Sequence, residues 1–201
     1  MAVEKETEEK IFKAAQLVFQ EKGFAGARMQ EIADEAGINK SMLHYYYRSK
    51  EKLFLQVFRQ SVQKIFPKLL SILESSDPLD RKVERIIDFY FSTFAENPAL
   101  PAFVTHEMNQ HPERFREFIR SMGVHLPESF KKQIEEEANA GRIRPVEPVH
   151  FVTHIVSLCI MPFVARNMLR TLFQMDEQQY QDFLIQRKEM LPDLIFNGIR
   201  S

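Results

Sequence analysis

The stretch that decides the fold is Met29-Gln30-Glu31-Ile32-Ala33-Asp34-Glu35-Ala36-Gly37-Ile38-Asn39-Lys40-Ser41-Met42-Leu43-His44-Tyr45-Tyr46-Tyr47. Its apolar residues Met29, Ile32, Ala33 and Ala36 recur at the spacing of one face of a short amphipathic helix. Gly37 supplies the stop, because a helix closes best on a residue free to adopt positive φ. Asn39 follows almost at once, and its side chain can accept from the free N–H groups at the start of a next helix. On that helix Leu43 and Tyr47 point inwards, while Lys40, Ser41, Met42, His44 and Tyr45 occupy the outer face or flanks. Ile38 then plugs the space between two short helices set at a sharp bend.

Working outward, Ile11, Ala14, Ala15, Val18 and Phe19 form an upstream stripe, with Gly23 as its expected stop. Downstream, Ser49 is the expected N-cap of a fourth helix, with Glu51 in its first turn, where a carboxylate suits the helix dipole. Phe54, Val57, Phe58, Val62 and Ile65 mark its buried face, and Pro67 a kink or restart. Val83, Ile86, Ile87, Tyr90, Phe91 and Phe94, with Phe89 off that stripe, give a helix apolar around most of its circumference, as in a bundle interior. Further helices are expected near 99–110, 113–121 and 127–140, punctuated by Pro101, Pro112, Pro127 and Gly141, with two longer ones at 148–173 and 177–199. Repeats and strand-like alternation are absent. The expected fold is all-α: a three-helix helix-turn-helix domain over 1–52 and a larger helical domain over 53–201.

The chain has 201 residues, 44 % hydrophobic and 27 % charged, with eighteen Phe and nine Met to build a core. Cys159 is the single cysteine, so no intramolecular disulfide can form and a reducing cytoplasm fits. The N-terminal residues have no apolar signal-peptide core, and the apolar run Leu158 to Ala165 is far shorter than a membrane span needs. No membrane role is expected. The net charge of −1 gives no general attraction to polyanions, and residues 1–52 balance nine Lys/Arg against nine Asp/Glu. Yet Lys40, Arg48, Lys50 and Lys52 face only Glu51 around the third helix. In a helix-turn-helix the second helix of the pair enters the major groove while the first crosses the backbone. A few focused phosphate contacts per subunit suffice for that. From charge alone, a solvated face on an interaction module is the favoured reading.

The motif decides between them. Residues 11–54, through Phe19, Gly23-Phe24, Ile32-Ala33, Ala36-Gly37-Ile38, Leu43, Tyr46-Tyr47 and Ser49-Lys50-Glu51-Lys52-Leu53, resemble the N-terminal domain of the TetR (tetracycline-repressor-like) family. The Ala140-Gly141-Arg142-Ile143-Arg144-Pro145 turn before two long helices looks like the arrangement usual in that family. The resemblance implies that Lys40, Ser41, Met42, His44 and Tyr45 reach base edges or adjacent phosphates. It implies that Tyr46 and Lys50 hold phosphate. Arg28 stands where the family usually places a capping Ser or Thr, which weakens the cap but offers a cation to a phosphate. His44, Tyr45 and Ser41 also depart from the commoner residues, so no relative's operator carries over.

The resemblance further implies a homodimer on double-stranded operator DNA, with the two terminal helices forming a four-helix bundle across the dimer axis. Candidate interface residues are Phe151, Ile155, Leu158, Val164 and Leu172 on one helix, and Tyr180, Phe183, Leu184, Leu191 and Ile195 on the other. It implies a ligand-binding and dimerisation role for 53–201 and a small-molecule effector, lipophilic or aromatic given the Met and Phe content. Candidate pocket residues are Phe66, Phe89, Tyr90, Phe94, Phe103, Met108, Met122, Phe130 and Met161, with His106, Glu107, Asn109 and His154 as polar groups to orient a ligand. Phe at helical spacing is more often the mark of plain core than of a pocket. Catalysis is not expected. His106 and His111 stand five apart and diverge around a helix, and His150 and His154 lack an acidic third ligand, so no metal is expected. Cofactor fingerprints and nucleophile motifs are also absent. The expected function is an effector-released repressor. The alternatives are an activator or ligand-independent regulator, or a helical ligand carrier that has lost DNA binding.

Overall fold

The computed structural model describes residues 2–63 and 65–199, and every regular element among them is helical. The chain divides into two compact units. The first comprises Met1–Ile65 with Ala102–Met122, and the second Phe66–Pro101 with Gly123–Ser201.

The first unit holds α1 (Ala2–Gly26), α2 (Met29–Glu35), α3 (Lys40–Tyr46), α4 (Lys50–Gln63), most of α7 (Leu100–Gln110) and α8 (Pro112–Ser121). Its core is the set of stripes seen in the sequence: Ile11, Ala15 and Phe19 from α1, Ile32 and Ala33 from α2, Leu43 from α3, and Leu53, Phe54 and Val57 from α4, all essentially inaccessible. Phe103 of α7 and Phe118 of α8 complete it through edge-on or tilted ring contacts with Phe58 at 5.8 and 5.3 Å. The boundary expected after residue 52 therefore falls inside this unit. The buried face of α4 packs on α1 and also on aromatics that return about fifty residues later.

Two glycines shape the unit. Gly23 does interrupt α1 (φ 65°, ψ 179°), but helical turns resume through Gly26 rather than stopping there. A Cβ at Gly23 would also meet His106 Nε2 at 3.4 Å. Gly37 (φ 66°) closes α2 in a Schellman motif: Ile38 N–H donates to Ala33 O at 3.0 Å and Gly37 N–H to Asp34 O at 3.1 Å. A side chain there would meet no atom within 4 Å, so the requirement is conformational alone.

The second unit holds α5 (Ile65–Leu73, from Phe66 onward), α6 (Leu79–Glu96), α9 (Glu128–Asn139), α10 (Pro148–Val164), α11 (Arg166–Leu172) and α12 (Glu177–Ile199). Pro67, expected to mark a kink or restart, lies within Ile65–Leu73. Val83, Ile87, Phe130, Ile134, Phe151, Cys159 and Leu191 form a closed core between α6, α9, α10 and α12. Lys82, buried, donates to Leu73 O at 2.7 Å and so satisfies a carbonyl at the end of α5; burial pulls its pKa down.

The single helix expected over 148–173 is two helices, bent by 70° about Ala165. Arg166 and Arg170 hold the turned segment to Glu177 at 2.6 and 3.0 Å, and Tyr180 O–H donates to Pro162 O at 3.1 Å. Pro162 has no N–H, so the helix cannot satisfy Leu158 O by its ordinary i+4 bond. Arg187 of α12 donates to that carbonyl instead, at 3.3 and 3.4 Å. Arg187→Met is expected to cost about 1 kcal/mol at such long distances, read by urea denaturation. An unchanged midpoint would mean that solvent already serves the carbonyl. Among the described residues no single helix is long and apolar enough to cross a membrane.

Candidate nucleic-acid interface

Helix α3 is positioned from both ends. Asn39 Oδ1 accepts from Met42 N–H at 2.7 Å, which fixes its first turn. At its other end Tyr47 is buried and turns the chain into Arg48-Ser49, and Ser49 Oγ accepts from Lys52 N–H at 3.3 Å to start α4. Leu43 anchors the inner side with no exposure. The outer side then presents Lys40, Ser41, Met42, His44 and Tyr45 to solvent. Tyr45 is 79 % exposed and meets Tyr46 edge-on at 5.5 Å, so the two rings form one projecting aromatic ridge. A ring held out in water at that cost in apolar exposure is suited to stacking on sugar or packing against a thymine methyl. The side chains of Lys40, Arg48 and Lys52 have no ion-pair or hydrogen-bond partner among the described residues. Their charge faces outward, opposed locally by Glu51. Its carboxyl is held below its ordinary pKa by hydrogen bonds from its own N–H and the Ser49 hydroxyl.

Two of the expected residues have other engagements. Lys50 donates to Phe24 O at 2.8 Å and Ala27 O at 3.1 Å, and its ammonium lies 4.4 Å from the Phe24 ring. With two of its three N–H groups committed, it clamps the end of α1 to the start of α4. Arg28 precedes α2, and Glu31 Oε2 reaches back to its N–H at 3.3 Å. A guanidinium has no acceptor to return, so only the Glu half of a capping box is made.

The candidate pocket residues are shared between the two units. Phe103, His106, Glu107, Met108 and Met122 belong to the first unit, while Phe66, Phe89, Tyr90, Phe94, Phe130, His154 and Met161 belong to the second. Tyr90, Phe94 and Phe130 are closed core, whereas His154 and Met161 are exposed. His106, His111, His150 and His154 join no group of three or more metal-ligating side chains among the described residues. The first unit does contain a void, lined by Glu107 with Phe54, Phe58, Phe115, Phe118 and Arg114. Nothing local in the sequence marks Phe115, Phe118 or Arg114 as sharing a void with a residue on another helix.

The terminal-helix stripe divides similarly. Phe151, Ile155, Tyr180, Leu184, Leu191 and Ile195 are buried in the chain's own core, and Leu158 and Phe183 are partly buried. Val164 and Leu172 remain exposed, alongside Met161, Met168, Phe173, Ile185, Met190 and Leu194.

A capped, core-anchored helix with a cationic and aromatic outer face, joined to an all-helical body, defines a helix-turn-helix transcriptional regulator. Residues 11–57 match the model of bacterial regulatory proteins of the tetR family, and residues 80–195 that of the tetracyclin repressor-like C-terminal domain. The chain belongs to that family. It is 28 % identical to the HTH-type transcriptional repressor NicS of Pseudomonas putida, across 96 % of this chain and 92 % of NicS. The fold superposes on HlyIIR, a hemolysin II transcriptional regulator (TM-score 0.67, 23 % identity, 98 % of each chain). It also superposes on FadR of Bacillus subtilis in complex with stearoyl-CoA (TM-score 0.67, 17 % identity, 96 % of this chain and all of that one). At such identities the two structures speak for the fold alone.

Proposed function

We propose that this chain is a repressor that binds a palindromic operator in the cytoplasm as a homodimer and releases it when a small-molecule effector binds. The observation that carries the reading is α3: inner side locked by Leu43, outer side presenting Lys40, Ser41, Met42, His44 and Tyr45, flanked by Tyr46 and Arg48. In this reading Lys40 and Arg48 supply phosphate contacts and Met42, His44 and Tyr45 read bases, with Arg28 at the neighbouring backbone. Lys50 acts mainly by holding α1 against α4. The repressor sign follows NicS, and an effector follows the example of FadR with its acyl-CoA.

A second copy is the natural partner for the exposed apolar residues of α10 to α12. Met161 and Val164 lie three apart at the end of α10, Met168 and Leu172 four apart on α11 beyond the bend, and Met190 and Leu194 four apart on α12. Solvent-exposed apolar groups clustered in this way mark an interface rather than scattered surface.

Selection from random duplex DNA tests the whole reading. A two-fold symmetric site is expected, and Lys40→Ala with Arg48→Ala should weaken binding to every sequence and lower the salt slope by about one per lost contact. Enrichment of no sequence by protein refolded from denaturant, and so stripped of ligand, would favour a helical carrier. A site bound only in the presence of ligand would point to an activator.

A further inference from the structure

Glu107, on α7, is 4 % exposed, and neither of its carboxylate oxygens has a hydrogen-bond partner among the described residues. Buried polar oxygens without partners lose their hydrogen bonds to water, and a fold keeps such a group only where something offsets the loss. Seven residues on, in α8, Arg114 also buries an unpartnered nitrogen, Nη1. The two do not meet as an ion pair among the described residues, although both line the same void. Its other walls are the rings of Phe54 and Phe58 from α4 and Phe115 and Phe118 from α8, with His111 at the joint between α7 and α8. The void measures about 10 Å³, room for roughly one water.

An acceptor without a donor and a donor without an acceptor, set in aromatic walls, are complementary to a group that donates at one end and accepts at the other. We propose that this void is the closed form of an effector site for a small neutral aromatic amide. An amide N–H donates to Glu107, the amide carbonyl accepts from Arg114, and the aromatic ring packs among the phenylalanines. An aromatic carboxylate offers Glu107 no donor, and an aromatic ammonium offers Arg114 no acceptor, so each leaves one of the two groups unmet. His111, Arg114 and Phe115 are only half-buried, so they form the side that parts to admit a ring.

The proposal rests on the reading that the chain answers to an effector, and it places the sensor in the unit that carries α3. The route between them is continuous. The Arg114 guanidinium lies 5.4 Å from the Phe24 ring, and the Phe24 carbonyl holds Lys50, the first residue of α4. Phe54, a wall of the void, meets Phe19 and Phe24 at 5.0 Å each. A ligand that draws Arg114 off Phe24 and spreads Phe54 from Phe115 disturbs the clamp that sets α4, and with it α3.

Calorimetric titration of the full chain with benzamide, benzoate and benzylamine tests this without DNA. Benzamide should bind at least tenfold more tightly than either charged probe, Glu107→Gln should lose most of the discrimination against benzoate, and Arg114→Met should weaken benzamide. Glu107→Met should abolish benzamide binding while raising the Tm of the unliganded protein by about 3 °C or more, since a buried polar group without partners is replaced by an apolar one of similar length. A lowered Tm would make Glu107 a structural residue and overturn the proposal. Preference for benzylamine, or binding of none of the three, would overturn it equally. If no operator exists, the titration still stands; if the titration fails, operator binding is untouched.

Discussion

Phe54→Ala is expected to lower the stability of the first unit by about 3–5 kcal/mol, the usual cost of emptying a large aromatic site in a closed core. The expectation comes from how many elements meet on one ring. Phe54 has 1 % exposure and stands 5.0 Å from Phe19, 5.0 Å from Phe24 and 5.6 Å from Phe103, with Phe58 stacked beside it at 6.1 Å. Those partners come from α1, α4 and α7, so the hole cannot collapse by moving one helix without dragging others. Operator binding should fail with it, because α3 is seated on the same core. Urea denaturation followed by circular dichroism reads the stability change. A loss below about 1 kcal/mol would mean that the rings repack, and that the unit owes its integrity to the α2–α3 pair alone.

Leu172→Glu combined with Met190→Glu is expected to leave the isolated chain folded and to make it monomeric. Both side chains lie mostly in solvent, 66 % and 63 % exposed, so neither charge enters the chain's own core, and surface changes of this kind cost within about 0.5 kcal/mol. At a two-fold interface each substitution appears twice, and like charges confront one another across it. Operator affinity should fall roughly a hundredfold or more, because the second half-site is no longer bound intramolecularly. Light scattering on the variant gives the mass directly. A dimer of unchanged mass would move the interface elsewhere, while a monomer with full operator affinity would remove the need for two-fold binding.

How much of this was legible beforehand depends on whether a feature is written in neighbouring residues. The stripe Ile11, Ala14, Ala15, Val18, Phe19 is buried as its spacing implies, and Gly37 and Asn39 close and open helices as their chemistry requires. The helices expected near 99–110, 113–121 and 127–140 run over Leu100–Gln110, Pro112–Ser121 and Glu128–Asn139. Capping, glycine stops and amphipathic spacing act within a turn or two of chain, so one sequence displays them. The outer face of α3 was legible for the same reason: once Leu43 points inwards, helical geometry places its neighbours outside.

Tertiary structure decided the rest. The apolar residues spread over 148–173 could not reveal which of them meet the chain's own core; Phe151 and Ile155 went inside, while Met161, Met168 and Leu172 stayed out. Nor could spacing foretell the bend at Ala165, or that Arg187 would serve the carbonyl orphaned by Pro162. Lys50 reads in the sequence as a free cation beside the recognition helix, yet the turn after Gly23 brings two carbonyls within its reach. Glu107 and Arg114 became a matched pair of unmet groups only when α4, α7 and α8 closed phenylalanine rings around them. By itself the sequence determined most of the helices, the ends closed by Gly37 and opened by Asn39, and the outer face of α3, because those are set by bonds between near neighbours. Which apolar face is buried and which polar group loses its water depend on what packs from far along the chain, and only the folded structure contains that.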